Sequence, residues 1–278
     1  MDNQGKESVK KRKWGIPILA MLLVVSCAIN AYFAITYIIV PNKEKEEGVQ
    51  YYEKDDDVDT HIVFDGALKT GSDKTVDLLF VGNSITLTHP NNEYWWGTWG
   101  GCATTRDNDY VHLLSKAVSK NYPVRMEAMN LATWETQYTD RAEMLDALEP
   151  YLRERLDYVV VFLGENVGNT ETLESDFEYL IKYVGEAAPN AQILIVGQFW
   201  TDEVKDTAKR DACEATGATY VDLTDLRDKE EYQCGLNTVV WGDDGEQHVV
   251  KHPGVAKHPG NAGMEKIAEK IAEQMNVN

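Results

Sequence analysis

Five short apolar runs recur between residue 75 and the C-terminus, and they restrict the fold more than any other feature of the sequence. The runs are rich in β-branched residues and lie at 76–81, 124–131, 158–163, 192–196 and 219–223. Segments with helical spacing of apolar residues alternate with them, at 110–118, 140–156, 173–187, 203–216 and 263–275. Near-continuous apolar strands are typical of buried parallel sheets, and connections of this length exclude hairpins. The alternation therefore predicts an α/β fold, a doubly wound three-layer sandwich with a five-stranded parallel sheet.

A second constraint lies near the N-terminus, where residues 14–40 contain no charged side chain. A helix needs roughly 20 residues to cross a hydrocarbon core of about 30 Å, so this run is long enough. We therefore expect one N-terminal transmembrane helix. A cleaved signal peptide and lipidation at Cys27 are the alternatives. Against them, the run is longer than a signal-peptide core, and apolar residues continue after Cys27 where a lipoprotein has a polar tether.

The distribution of charge predicts the orientation of this helix. The chain has 278 residues, 27 basic and 46 acidic side chains, and a net charge of −19. Residues 1–13 carry five basic and two acidic groups, whereas residues 41–278 carry 22 basic and 44 acidic groups. The positive-inside rule then places the N-terminus in the cytoplasm and the C-terminal part outside. The expected order is a cytoplasmic basic tail at 1–13, a transmembrane helix at 14–40, an acidic stalk at 41–74 and one domain at 75–278.

The same acidity excludes a nucleic-acid-binding protein of the usual basic kind. The acidic run EKDDDVD at 53–59 lacks the ligand spacing and central glycine of a calcium loop, which favours a solvated linker. The sequence shows no Cys/His metal spacing, phosphate-binding glycine loop or dinucleotide fingerprint, so we expect no metal and no cofactor.

Three cysteines follow the apolar N-terminal run: Cys102, Cys213 and Cys234. Their spacing leaves the disulfide pairing open. If one pair is bridged, Cys213 with Cys234 closes the shorter loop.

Polar motifs follow three of the predicted strands, and a fourth motif precedes the last helix. They are GNSIT at 82–86, NLATWE at 130–135, GENV at 164–167 and HPGNAGM at 258–264. In a doubly wound fold the functional groups gather beyond the carboxyl ends of the strands. Ser84, in the first motif, is therefore a candidate nucleophile.

The order of these four motifs resembles the SGNH (GDSL-type) hydrolase family, over about residues 75–275. The Trp-Gly-rich stretch EYWWGTWGGCATT at 93–105, followed by DYVHLL at 109–114, resembles a bacterial branch of that family. The resemblance implies that Ser84 is the nucleophile and His258 its base. It also implies three oxyanion donors: the backbone N–H of Ser84, a backbone N–H at Ala132 and the side-chain amide of Asn166.

Two positions depart from the family pattern. Ala132 stands where the family usually has glycine, and Val255 stands where it has the aspartate that orients the histidine. The orienting group is left open between a carboxylate of the preceding loop, a backbone carbonyl and a Ser-His dyad without one; the candidate carboxylates are Asp243, Asp244 and Glu246. His252, in a similar His-Pro-Gly sequence, is the alternative base.

Other residues near the strand ends are candidates for substrate contact. Those beside the motif residues are Asn83, Gly164, Glu165 and Glu135. The loop after the nucleophile adds Trp95 and Trp99, whose aromatic faces suit sugar rings, with Trp96 beside them. The alternative for Glu135 and Glu165 is a structural role, and for the tryptophans it is a lid that packs its own small core.

Together these features predict an extracytoplasmic serine esterase that hydrolyses acyl esters, acetyl above all, through an acyl-serine intermediate. The expected partners are an acylated carbohydrate or cell-envelope substrate and the membrane, through the N-terminal helix. The negative charge of the outer part favours neutral or acylated glycans over anionic polymers. The alternatives are an O-acyltransferase on the same fold, a catalytically inactive glycan-binding domain and a structural surface anchor.

Overall fold

The computed structural model describes residues 49–53, 60–64, 74–91, 93–137 and 139–276. The predicted transmembrane helix at 14–40, Cys27 and most of the acidic run at 53–59 lie outside the described residues. No helix within the described ranges is both long and apolar enough to cross a bilayer.

The main sheet contains the five parallel strands that the sequence predicts. In chain order these are β3 (Val76–Gly82), β4 (Val124–Asn130), β5 (Tyr158–Phe162), β6 (Gln192–Val196) and β7 (Thr219–Val221). They lie in the order β4, β3, β5, β6, β7, and every neighbouring pair is parallel. The strand order reverses at β3, so the crevice at the carboxyl end of this strand is where a doubly wound fold binds its ligand.

Two further strands extend the sheet beyond β4. They are β1 (Val49–Glu53) and β2 (Thr60–Phe64), which pair antiparallel with each other, and β2 pairs antiparallel with β4. Both strands lie in the 41–74 segment for which the sequence predicts only an acidic stalk. Their β-branched and aromatic residues are flanked by acidic runs, which conceal the strand pattern in the sequence.

Helices connect the strands and cover the sheet. The long helices are α1 (Tyr110–Ser119), α4 (Leu173–Ala187), α5 (Glu203–Thr216) and α7 (Asn261–Gln274), and the short ones are α2 (Ala132–Thr136), α3 (Arg141–Met144) and α6 (Pro253–Ala256). A small antiparallel hairpin precedes α6 and consists of β8 (Val239–Trp241) and β9 (Gln247–Val249). Three 3₁₀ turns complete the described elements, at Arg106–Asn108, Leu145–Leu148 and Glu230–Tyr232.

The helix predicted at 140–156 is wrong in its length. The structure has only α3 and the 3₁₀ turn Leu145–Leu148 in this range. Pro150 explains the early end, because it has no N–H to donate to the carbonyl of Asp146 and its ring clashes with a continuing helix.

The sheet separates two apolar cores. Leu78 and Phe80 of β3 belong to one core, together with residues of α1 and α7. Leu79 and Val81, the alternate residues of the same strand, belong to the other core, which includes residues of α4 and α5. Both faces of the central strand are thus buried, which is why its sequence reads as a continuous apolar run. The confirmed three-layer arrangement leaves the carboxyl ends of the strands as the open edge.

Candidate active site

Ser84 stands in a tight turn directly after β3. The carbonyl of Asn83 accepts hydrogen bonds from the N–H groups of Thr86 and Leu87, at 2.9 and 3.0 Å. Gly82 is required at the start of the turn, because a Cβ there would lie 1.8 Å from the Thr86 hydroxyl oxygen. The carbonyl of Ser84 accepts a 2.7 Å hydrogen bond from the N–H of Gly101, in the tryptophan-rich loop. The turn therefore holds a half-buried serine hydroxyl at the carboxyl edge of the sheet.

His258 is the partner of this hydroxyl. Its Nε2 lies 3.0 Å from the Ser84 Oγ, although 174 positions separate the two residues in the chain. His258 lies between α6 and α7, and the fold of the whole domain brings it back to the end of β3. A distance of 3.0 Å is within the reach that a general base needs to take the serine proton.

A backbone carbonyl orients the imidazole. The Nδ1 of His258 lies 3.1 Å from the carbonyl oxygen of Gly254. A carbonyl only accepts, so Nδ1 carries the proton and Nε2 is left with a free lone pair toward the serine. Among the alternatives that the sequence left open, the structure therefore places the main chain of α6 at the orienting position.

The carboxylates considered for this role lie elsewhere. Asp243 accepts hydrogen bonds from the N–H and hydroxyl of Thr98, at 2.8 and 3.0 Å, and Asp244 pairs with His248 at 2.8 Å. Glu246 is in the turn of the same hairpin, where its N–H donates to Asp244. Within the described residues, no carboxylate makes a hydrogen bond to His258.

Two indole rings enclose the imidazole. The ring centroids of Trp95 and Trp200 lie 4.9 and 5.0 Å from that of His258, and both pairs are edge-on. The Trp200 indole N–H donates to the carbonyl of Lys257 at 3.0 Å, which holds the ring in place. Desolvation disfavours the imidazolium and lowers the pKa of His258 to about 4. The imidazole is therefore neutral, and able to accept a proton, throughout the physiological pH range.

His252, the alternative base, has a different role. Its Nδ1 accepts a 3.2 Å hydrogen bond from the N–H of Gly254 and so caps the N-terminus of α6. Its ring packs edge-on against Tyr94 at a centroid distance of 5.0 Å. The structure brings His258, and not His252, to Ser84.

Two of the three predicted oxyanion donors are available. Within the described part of the chain, the N–H of Ser84 makes no intramolecular hydrogen bond. The exposed Asn166 follows β5, and its side-chain Nδ2 donates one of its two protons to Glu135 at 2.6 Å. Among the residues that the structure describes, the other proton of that amide has no acceptor and can therefore meet an oxyanion.

The prediction of a third donor, at the backbone N–H of Ala132, is wrong. The N–H of Ala132 already donates to the Asn130 Oδ1 at 3.0 Å, because the Asn130 side chain folds over the start of α2. The other end of the Asn130 amide donates to the carbonyl of Leu87 at 2.6 Å, so the side chain is held at both ends. Ala132 therefore offers no free donor at its backbone N–H.

Three of the residues predicted to contact substrate lie behind the site instead. Asn83 and Glu135 are both fully buried. Glu135 accepts hydrogen bonds from the Asn83 side chain at 2.9 Å and from the N–H of Gly164 at 2.5 Å. Gly164 is buried and has a φ of +116°, a conformation that favours glycine. These residues support the loops of the site from beneath and do not face a substrate.

Glu165 is also engaged internally. Its carboxylate accepts a 2.5 Å hydrogen bond from the N–H of Phe199. The amide of Gln198, in the orientation that gives both of its ends a partner, donates to the same carboxylate at 2.7 Å and accepts from Lys209 at 2.8 Å. Burial raises the pKa of Glu165 to about 7 and lowers that of Lys209 to about 8. Gln198 thus links Glu165, which directly precedes Asn166, to the fully buried Lys209.

Of the three tryptophans in the loop after Ser84, one borders the site and the other two pack elsewhere. Trp95 borders His258, whereas Trp96 stacks on His248 at a centroid distance of 5.2 Å. Trp99 is only 5% exposed and donates its indole N–H to the carbonyl of Ala103 at 3.2 Å. Substrate contact by Trp99 is therefore wrong, because its ring fills the loop's own core.

Two residues of the site and its surroundings, Trp200 and Lys209, are not among those predicted from the sequence. Trp200 lies just after β6, so the rule that directs attention to strand ends contains the signal for it. Lys209 lies within α5, where lysines are usually solvated, and its complete burial carries no sequence signal.

The three described cysteines are free thiols. Cys234 makes a side-chain hydrogen bond with Cys102, which raises the pKa of Cys102 and lowers that of Cys234. Cys213 packs in the core on the other face of the sheet. The structure therefore does not pair Cys213 with Cys234, the two cysteines that would close the shorter loop.

No protein-family model and no curated protein matches the chain. Among solved structures it is similar to an extracellular lipase from Streptomyces rimosus, at 14% identity and a TM-score of 0.44 over 71% of this chain and 99% of the other. It is also similar to phospholipase A1 from Streptomyces albidoflavus, at 15% identity and a TM-score of 0.43 over 72% and 99%. A third similar structure is an active-site mutant of a family two carbohydrate esterase from Clostridium thermocellum, at 15% identity and a TM-score of 0.44 over 73% and 64%.

The sequence motifs and the geometry of the site point to the same residues, and neither observation depends on these similarities. The order of the four motifs resembles the SGNH (GDSL-type) hydrolases, and the structure brings the serine and the histidine of these motifs together at the carboxyl edge of a doubly wound sheet.

Proposed function

We propose that the protein is a serine ester hydrolase with Ser84 as nucleophile and His258 as general base. The observation that carries the proposal is the 3.0 Å contact between Ser84 Oγ and His258 Nε2, in which the Gly254 carbonyl sets the tautomer of the imidazole. A serine hydroxyl is a weak nucleophile at its free pKa, and this arrangement supplies the base that it needs.

The first half of the reaction acylates the enzyme. Ser84 Oγ attacks the ester carbonyl carbon while its proton passes to His258 Nε2. The negative charge on the carbonyl oxygen is met by the N–H of Ser84 and the free N–H of the Asn166 amide. The tetrahedral intermediate collapses when the bond to the leaving alcohol breaks and His258 returns the proton to that oxygen.

The second half releases the acid. A water molecule loses a proton to His258 Nε2 and attacks the acyl carbon, and the bond to Ser84 Oγ breaks as the proton returns to that oxygen. The Gly254 carbonyl stabilises the transient imidazolium as a dipole, where an aspartate would act as a full charge. Loss of the aspartate therefore reduces the rate without removing the mechanism.

Hydrolysis of p-nitrophenyl acetate by the purified full-length protein tests the proposal. Ser84→Ala and His258→Ala should each lower kcat by at least about 10³-fold, because nucleophile and base act as one unit. Ser119→Ala, at the end of α1, and His252→Ala are the matched controls and should retain the wild-type rate within about threefold. Equal rates for the wild type and Ser84→Ala would contradict the proposal, and activity that survives in His258→Ala but not in His252→Ala would assign the base to His252.

The substrate class extends this proposal. We propose acyl groups, acetyl above all, on a neutral carbohydrate or cell-envelope polymer. Support comes from the half-buried indole of Trp95 and the exposed ring of Tyr94 beside the two histidines, since aromatic rings suit sugar faces. The chain's excess of acidic groups also disfavours anionic polymers. Acetate release from an acetylated polysaccharide, compared with release from p-nitrophenyl acetate, tests this class. Transfer of the acetyl group to a sugar instead would indicate the acyltransferase.

The location is a separate proposal. The uncharged run at 14–40 and the basic residues before it support a single-pass membrane protein whose N-terminus is cytoplasmic and whose catalytic domain is outside the cell. Protease added to intact cells tests this orientation, because it should remove the catalytic domain and spare an N-terminal tag.

A further inference from the structure

We propose that Glu135 is a positioning residue that aligns the oxyanion site, acting through Asn166 and the turn that carries Ser84. The inference rests on the proposed function, because it deepens the same site. It concerns a fully buried side chain that is held out of reach of any substrate.

Glu135 lies on α2, next to the carboxyl end of β4, and its two oxygens receive four hydrogen bonds. Oε1 accepts from the Asn83 side chain at 2.9 Å, from the N–H of Gly164 at 2.5 Å and from the N–H of Asn166 at 3.4 Å. Oε2 accepts from the Asn166 Nδ2 at 2.6 Å. A carboxylate that only accepts matches four donors, and each such bond is stronger than one between neutral groups.

These donors belong to two loops that must be held in register for the reaction. Asn83 precedes the nucleophile, and its Oδ1 also accepts a 3.0 Å hydrogen bond from the N–H of Ile85, directly after Ser84. Gly164 and Asn166 lie after β5, the strand that neighbours β3. One carboxylate on a third element therefore fixes the separation between the nucleophile turn and the amide donor.

The contact with Asn166 also determines which way its amide points. Asn166 is exposed, so few other side chains restrain it, and the short bond to Oε2 orients its NH₂ group. One N–H is held by Glu135, and the second is directed away from it. An oxyanion donor contributes to the rate only if it is positioned before the charge develops. The hydrogen bond between Glu135 and the Asn166 amide provides this positioning.

A double-mutant cycle in the full-length protein tests the inference, with p-nitrophenyl acetate as substrate. Glu135→Gln preserves the shape of the side chain but places its NH₂ group opposite the N–H groups that Glu135 accepts from. This substitution should lower kcat by about 10- to 100-fold with little change in KM. In an Asn166→Ala background the same substitution should lower kcat by a clearly smaller factor than in the wild type, because the part of its effect that acts through Asn166 is already lost. Asp77→Asn, at the amino end of β3, replaces another buried carboxylate and should leave kcat within about threefold in either background.

The outcomes separate this inference from the proposed function. Additive losses at Glu135 and Asn166, or an unchanged kcat in Glu135→Gln, would overturn the role of Glu135. If the rate still depends on Ser84 in that case, the proposed esterase activity stands. A rate that does not depend on Ser84 would overturn both. If Glu135→Gln does not fold, Glu135→Asp replaces it in the cycle. Its shorter side chain should give the same loss and the same non-additivity, and additivity there would equally overturn the inference.

Discussion

At the scale of single residues, the environment of His258 bears on its proposed role as a base without a carboxylate partner. An aspartate partner raises the affinity of an imidazole for protons, whereas within the described residues the Nδ1 of His258 faces a backbone carbonyl, that of Gly254. Trp95 and Trp200 exclude water from two sides of the ring, and this desolvation lowers the pKa of His258 by more than the Gly254 carbonyl raises it. The base is consequently weak but always in its reactive, neutral form at neutral pH.

The pH dependence of kcat/KM should show this directly. Activity requires neutral His258, so it should fall as the pH decreases through about 4 and not through the ordinary histidine value near 6.5. Trp200→Ala admits water to the ring and should move this acid limb upward, whereas Trp200→Phe keeps an aromatic wall and should leave it close to the wild type. An acid limb at the same pH in all three proteins would contradict the role of desolvation.

The same lowered pKa contributes to stability with a definite sign. Between pH 6.5 and about 4 the unfolded chain binds a proton at His258 that the folded chain does not bind. The contribution of His258 to the free energy of unfolding is therefore present above about pH 6.5 and is lost as the pH falls toward 4.

At the scale of elements, the short helix α6 orients the imidazole of His258 with a main-chain carbonyl in place of a side-chain carboxylate. The Gly254 carbonyl faces Nδ1, while Val255, where the motif resemblance leads one to expect an aspartate, turns into the core and is only 5% exposed. The carbonyl of Val255 accepts hydrogen bonds from the Cys102 thiol and from the N–H of His258, at 3.1 and 3.0 Å. The helix is thus held by its backbone, with its apolar side chain buried.

An aspartate introduced at position 255 should therefore not orient His258. Val255→Asp places a carboxylate in an apolar core and should lower the free energy of unfolding by about 3 kcal/mol, with no gain in kcat. Val255→Ala is the matched variant and should cost less, because it leaves a cavity and no buried charge. Urea unfolding and ester hydrolysis measure the two quantities. A rise in kcat for Val255→Asp would show that the carboxylate reaches the imidazole.

At the scale of the whole molecule, the site exists only when the first and last parts of the domain meet. Ser84 follows β3, at the centre of the sheet, and His258 immediately precedes α7, the last helix. Helix α7 packs through Met264, Ile267 and Ile271 against the core that it shares with α1. Its burial thus holds the C-terminal segment, and with it the base, against the sheet.

Core packing of α7 should control stability separately from chemistry. Ile267→Ala removes a fully buried side chain and should lower the free energy of unfolding by about 2–5 kcal/mol, as measured in urea. The folded fraction should retain the wild-type kcat at temperatures below its unfolding transition. Glu273→Ala, on the exposed face of α7, is the control and should change stability by less than about 0.5 kcal/mol. A loss of kcat in the folded Ile267→Ala protein would show instead that packing of α7 tunes the position of His258.

The sequence was sufficient for the features that depend on local pattern. Five apolar runs predicted five parallel strands, and the motifs after them located Ser84, Asn166 and His258 at one edge of the sheet. Periodicity and strand-end position determine these features, because a parallel strand is buried on both faces and its carboxyl end always opens on the same edge. Pro150 was visible as well, and its effect on the predicted helix at 140–156 follows from the chemistry of proline alone.

Only the tertiary structure decided which groups surround the catalytic pair. The Gly254 carbonyl, and no carboxylate, orients His258; Asn130 occupies the N–H of Ala132; and Glu135 and Trp99 are buried. Trp200 reaches His258 from a loop 58 positions earlier in the chain. Each of these contacts joins elements that are far apart in sequence, so each depends on how side chains pack between them. A one-dimensional pattern records what a residue is and where its strand ends, whereas its partners are set by the packing of the folded domain.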